Sequence, residues 1–112
     1  MSGPPKENGR GIPRQRVLLG GIVIFGPALM TRDCAVRDLT DFGARIKLRA
    51  GHDIVAPVAL LVAMTGVAYD CAIAWREGEE IGLSFTRRLD LTEPKLEIEK
   101  TARRLWLAKS TI

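Results

Sequence analysis

Between Arg16 and Phe85 the chain is a succession of short segments in which apolar and polar residues alternate, each ended by a glycine, proline or acidic turn signal. A period of two sends successive side chains to opposite faces of a strand. The pattern is cleanest where Ala44, Ile46 and Leu48 alternate with Arg45, Lys47 and Arg49. It predicts a half-buried strand there, with both arginines facing solvent.

The other segments follow the same logic. The β-branched run Val17-Leu18-Leu19-Gly20-Gly21-Ile22-Val23-Ile24-Phe25 ends at Gly26-Pro27, and its paired glycines suggest a bulge or a tight bend. A second strand, about 29–39, completes a hairpin. After a loop at Ala50-Gly51-His52-Asp53, Val58, Leu60, Val62 and Met64 lead to a turn near Thr65-Gly66. Tyr69, Cys71, Ile73 and Trp75 then share one face of a strand, opposite Asp70, Ala72, Ala74 and Arg76. The turn Glu77-Gly78-Glu79 precedes Ile81, Leu83 and Phe85 on the last strand. Six short strands at this spacing indicate a mainly β, antiparallel barrel or sandwich.

The period becomes helical over about 92–109. Thr92 is placed to cap that helix, Glu93 suits the positive end of its dipole, and Pro94 is tolerated in the first turn. Leu96, Ile98, Ala102, Leu105 and Trp106 form an apolar stripe, and Leu107 widens it. Such a helix is either wrapped by its own strands or holds a partner. Both tryptophans, Trp75 and Trp106, are expected in the core.

A chain of 112 residues supports one domain with one modest core. The formal charge of +4 is unevenly placed, because Lys6, Arg10, Arg14 and Arg16 face only Glu7 in the tail. That clustering suits a polyanionic partner such as a nucleotide, a nucleic acid or an acidic membrane surface. Residues 1–13 hold too many glycines and prolines to fold alone. The same tail lacks the apolar segment of a secretory signal. Cys34 and Cys71 have no metal-binding spacing and read as buried free thiols of a reducing, cytoplasmic compartment. The uncharged run 54–69 is shorter than the roughly 20 residues of a spanning helix and is broken by Pro57 and Gly66, so no membrane span is expected. His52, the single histidine, has no triad partners, and Asp38 with Asp41 lacks a second cluster to position a substrate. An enzyme is not expected, nor a metal or cofactor.

The polar stretch Asp38-Leu39-Thr40-Asp41-Phe42-Gly43 stands apart. Asp38 and Thr40 share a face at a strand end, Leu39 takes the other, and Gly43 supplies backbone freedom for the turn. Arg10 and Arg14 precede the first strand, and one hairpin returns Asp38 and Thr40 towards them. Arginine is flat, permanently charged and fork-shaped, which suits phosphate, base edges and stacking alike. A carboxylate accepts from amide-like donors, and a hydroxyl completes an edge contact. Arg45 and Arg49 repeat the spacing of Arg10 and Arg14, so spacing alone decides nothing. A turn closed by Asp38 or Thr40 is the purely structural alternative.

On these residues the chain resembles the PilZ domain, the bacterial receptor module for cyclic di-GMP. Arg10 and Arg14 match its RxxxR arm, Asp38, Thr40 and Gly43 its (D/N)xSxxG strand end, and residues 75–85 its closing hairpin. Threonine stands at position 40 where that family usually has serine. The resemblance implies a six-stranded antiparallel PilZ-like β-barrel at 14–90, a basic arm at 1–13 and a C-terminal helix at 91–112. It implies cyclic di-GMP as the ligand, with Arg10 and Arg14 on phosphate and the guanine Hoogsteen edge, and Asp38 and Thr40 on the other base edge, Gly43 keeping the turn open. The function implied is a non-catalytic second-messenger receptor or adaptor, passing its signal to a protein effector or a homodimer through the C-terminal helix. Two other readings use the same sequence: a PilZ-like interaction module that does not bind the nucleotide, and a small nucleic-acid-binding barrel. The second is disfavoured by the few aromatics on the strands.

Overall fold

The structure, a computed structural model, describes residues 15–110, with the backbone alone for 15–18, His52, 109 and 110. The tail of residues 1–13 and the side chain of His52 therefore lie outside the described residues. Six strands, β1 (Gln15–Phe25), β2 (Met30–Leu39), β3 (Gly43–Lys47), β4 (Val58–Val62), β5 (Val67–Glu77) and β6 (Glu80–Arg88), precede one helix, α1 (Glu97–Ser110). They close into a barrel in the order β1-β2-β3-β6-β5-β4, with β4 returning to β1. Every pairing is antiparallel. The six-stranded antiparallel barrel with a C-terminal helix is therefore the fold.

Alternation builds the interior: Val23 and Phe25 from β1, Val36 from β2, Ile46 from β3, Leu60 from β4 and Leu83 from β6 pack together inside. A second cluster lies on the outer face of β1 and β4, where Ile22, Ile24, Ala59 and Leu61 meet Ala102 of the helix, with Ile98, Leu105 and Trp106 packed alongside. This explains the unbroken apolar character of β4, whose residues are all buried because the barrel lies on one side and the helix covers the other. No helix among the described residues is long and apolar enough to cross a membrane. The helix is thus wrapped onto its own barrel, leaving Leu107 exposed.

Three local expectations change. The register shift in β1 lies between Arg16 and Leu19, ahead of the glycine pair. Gly21 stays in the ladder opposite Cys34, and a Cβ there would approach Val36 Cγ2 to 3.0 Å and Leu60 Cδ1 to 3.3 Å, so its small size serves close packing inside the barrel. The helix begins at Glu97 instead of Thr92. Thr92 is not its cap: its N–H and that of Glu93 donate to the Asp90 carboxylate at 2.9 and 3.1 Å in a turn of their own. Glu93 also precedes a proline, which disfavours helical dihedrals. Third, Cys34 and Cys71 are free but only half-buried, against the barrel interior. Burial above all pushes both thiols up to about 12, which makes them poor nucleophiles.

The actual start of α1 is organised by Glu99, 5% exposed, whose carboxylate accepts the N–H groups of Lys95 at 2.9 Å, Leu96 at 3.0 Å and Asp90 at 3.0 Å. It is the glutamate arm of a capping box. These backbone donors, Leu96 foremost, lower its carboxyl from 4.5 to about 2. The folded chain then binds that proton less readily than the unfolded chain, so the stabilisation is complete above about 4.5 and disappears as pH falls through about 2. Thermal melts in pH steps should show wild type losing stability across that window, with a flatter slope and a lower melting temperature at neutral pH for Glu99→Gln. Parallel curves would contradict the role given to Glu99.

Candidate functional site

Two bulges build a groove on the outer face of β2, β3, β6 and β5, across the barrel from the helix. In β2, Val36 pairs with Ile46 but Asp38 pairs with Arg45, so Arg37 is an extra residue. Ile46 points inside, Arg45 outside, and the extra residue moves Asp38 to the outside as well. In β5, Ile73 pairs with Leu83 but Trp75 pairs with Gly82, leaving Ala74 extra. Gly82 pairs with Arg45, so Trp75 also turns outward. Asp38, Arg45, Gly82 and Trp75 consequently form one row across four strands.

This row corrects two sequence expectations. Trp75 is 42% exposed instead of sharing the interior with Cys71 and Ile73. Its indole lies on Gly82, where any Cβ would collide with Nε1 and Cε2. Arg45 is half-buried instead of freely solvated: Nε donates to Asp38 Oδ2, and Nη1 lies 2.6 Å from Glu80 Oε2. Bonding first to Asp38 and then to Glu80 raises the Arg45 guanidinium above its ordinary value. Arg49 is exposed, as its alternation implies.

Asp38 is 4% exposed at the end of β2, while its neighbour Leu39 packs inward. Thr40 follows the strand and closes the turn: its Oγ1 accepts the N–H of Phe42 at 3.0 Å and of Gly43 at 3.1 Å. The hydroxyl turn therefore holds for Thr40, whereas Asp38 is engaged by Arg45. Gly43 is required for a different reason than turn freedom. Its φ lies outside the left-handed region, and a Cβ there would collide with the Leu83 carbonyl oxygen, because β3 and β6 approach closely at this point.

The structure thus brings Asp38, Thr40 and Gly43 together in one groove of about 270 Å³, which Phe42, Arg45, Trp75 and Ser84 also line. Phe42 is 64% exposed at its rim. Arg10 and Arg14 lie outside the described residues. What is described is the start of β1, where Gln15 pairs with Leu39 and Arg16 with Asp38, next to the groove. The volume is at the small end of ligand sites, typically about 300–1,000 Å³. It suits one planar group, with an anionic acceptor, a cation and two exposed rings around it. Comparison with protein-family models and with curated proteins finds no match for the chain.

Sequence reasoning missed Arg45 and Trp75 as site residues, since both depend on bulges that a strict period of two does not register. The pairing of a tryptophan with a glycine seven positions later was the available signal. Gly82→Ala should push the indole off the sheet. With Trp106→Phe as background, Trp75 emission should shift to the red, while the melting temperature changes little because the ring moves into solvent. An unshifted spectrum would contradict the packing of Trp75 on Gly82.

Proposed function

We propose that this chain is a cyclic di-GMP receptor of the PilZ type, a non-catalytic switch in which a basic arm closes over a nucleotide held at the Asp38–Arg45 groove. The observation that carries the reading is the groove itself: a carboxylate on the outer face at a strand end, an exposed indole three strands away, and the first strand starting at its rim. Trp75 offers a stacking plane for a purine. Asp38 offers an acceptor for guanine donors.

Arg14 is bonded to Gln15, and Arg10 precedes Gln15 by five residues. At about 3.6 Å per extended residue, the backbone of Arg10 is within about 18 Å of the groove edge. Both guanidiniums are then within reach of a dinucleotide whose phosphates lie outside the cavity. Each charge-assisted hydrogen bond contributes about 1.5–3 kcal/mol, whereas ordering each arm residue costs about 1–2 kcal/mol. Several contacts together give micromolar affinity, about −8 kcal/mol.

The signal has a physical route. The start of β1 lies beside the groove, and its later residues Ile22 and Ile24 lie under the helix. Closure of the arm therefore acts on the strand that carries α1, altering the surface offered to a protein effector. A ligand-independent interaction module is the second reading, favoured by the engagement of the Thr40 hydroxyl in its own turn.

Calorimetry of the full chain with cyclic di-GMP, GMP serving as control, separates the two. The receptor reading predicts saturable micromolar binding that falls tenfold or more in Arg14→Ala and in Asp38→Ala. Flat heats with folded protein at about 50 μM would overturn the receptor reading and favour the interaction module.

A further inference from the structure

We infer that the outer face of α1 is a contact surface for a membrane rich in anionic lipid, lying along the headgroups with its arginines on phosphate and its exposed leucines on hydrocarbon. The inference goes beyond the nucleotide reading and does not depend on it, since the groove lies across the barrel from the helix.

The helix turns Ile98, Ala102, Leu105 and Trp106 to the barrel, which leaves the residues spaced between them outside. From Leu96, whose carbonyl accepts the N–H of Lys100 at 3.0 Å in the first helical bond, the outer line runs through Lys100, Arg103, Arg104 and Leu107, at steps of four, seven, eight and eleven residues. Leu96 and Leu107 are 44% and 43% exposed and stand about 16 Å apart along the axis, with the three cations between them. Those cations, Pro94 and Leu107 line a hollow of about 320 Å³. Cations and hydrocarbon in one hollow suit an anion joined to hydrocarbon, which is what a phospholipid headgroup and its glycerol present.

Glu97 lies 3.6 Å from Lys100 and balances it locally. Arg103 and Arg104 are exposed and have no salt-bridge partner among the described residues. That surplus is complementary to an anionic surface and repels a second copy of the same face.

Leu96 is an independent observation. It holds the N-cap position, and Glu99 three residues later accepts its N–H at 3.0 Å, so a serine at position 96 would complete the capping box. Helix stability alone favours a polar residue there; an exposed leucine serves contact instead. Met64, 78% exposed, stands in the turn between β4 and β5, and the Trp106 indole packs on Gly66 of that same turn. The exposed apolar residues therefore spread beyond the line of the helix, which suits an extended surface more than a single acidic peptide.

The test is co-sedimentation of the full chain with vesicles of phosphatidylcholine, with and without about one third phosphatidylglycerol, alongside melting temperatures. Binding should need the anionic lipid and weaken tenfold or more between about 0.1 M and 0.5 M salt. Arg103→Glu combined with Arg104→Glu should lower the partition coefficient at least tenfold, since each cation at an anionic surface contributes about fivefold. Glu97→Gln should raise it about threefold. Leu96→Ser should lower it several-fold while raising the melting temperature, a pair of changes that a packing role for Leu96 would not give.

No binding, or equal binding to both vesicles, overturns the inference, as does a folded double-arginine variant that binds like wild type. If that variant does not fold, unchanged binding in Leu96→Ser overturns it equally. Bicelles of phosphatidylglycerol carrying a nitroxide-labelled lipid localise the contact: the amides of Met64, Leu96 and Leu107 should broaden. Broadening confined to residues 1–13 would assign the binding to the basic tail. Shifts of α1 by polyglutamate with no response to the bicelles would assign the face to an acidic protein, and either result overturns the membrane contact.

Discussion

A strand in a closed barrel shows alternate side chains to the interior and to the outside, and the groove exists because two strands break that rule once each. Without the extra Arg37 in β2, Asp38 would follow Val36 into a core that has no place for a carboxylate. Without the extra Ala74 in β5, Trp75 would follow Ile73 inward. Each bulge disrupts its ladder locally. Together they put an acceptor and a ring on the same outer face, with Arg45 and Gly82 between them.

The opposite side of the barrel obeys a different constraint. β1 and β4 are apolar on both faces, so the sheet there is stable only when something covers its outside, and α1 does so through Ile98, Ala102, Leu105 and Trp106. Glu99 fixes where that helix starts by collecting three backbone donors, one of them from the segment that follows β6. The two halves share β1, one end beside the groove and the middle under the helix. The groove on one side and the helix on the other are therefore linked through a single strand.

Much of the barrel was legible in the sequence because strand alternation and turn residues are local properties. The β3 pattern from Ala44 to Leu48 and the turn at Thr65-Gly66 needed no tertiary information. The helix start was misread because Thr92 and Pro94 satisfy the local rules for a cap, while the decisive carboxylate sits at Glu99 and reaches back to Asp90. Of the site, Asp38, Thr40 and Gly43 were recognisable as a stretch, but the reason for Gly43 is the passing backbone of β6, a neighbour 40 residues away in Leu83. Trp75 was misassigned because the extra Ala74 inverts its face, whereas Arg45 keeps the outward face its alternation implies and is engaged there because the extra Arg37 turns Asp38 onto the same side; no single residue announces either bulge.

The most direct measurement is a backbone and indole ¹H–¹⁵N correlation spectrum recorded while cyclic di-GMP is added to the full chain. The account predicts saturable shifts concentrated at Asp38 to Arg45, at the Trp75 indole and at Gly82 to Ser84, with smaller shifts passing along β1 towards Ile22 and Ile24. A spectrum that does not move, or shifts confined to the outer face of α1, would contradict a nucleotide site in the groove.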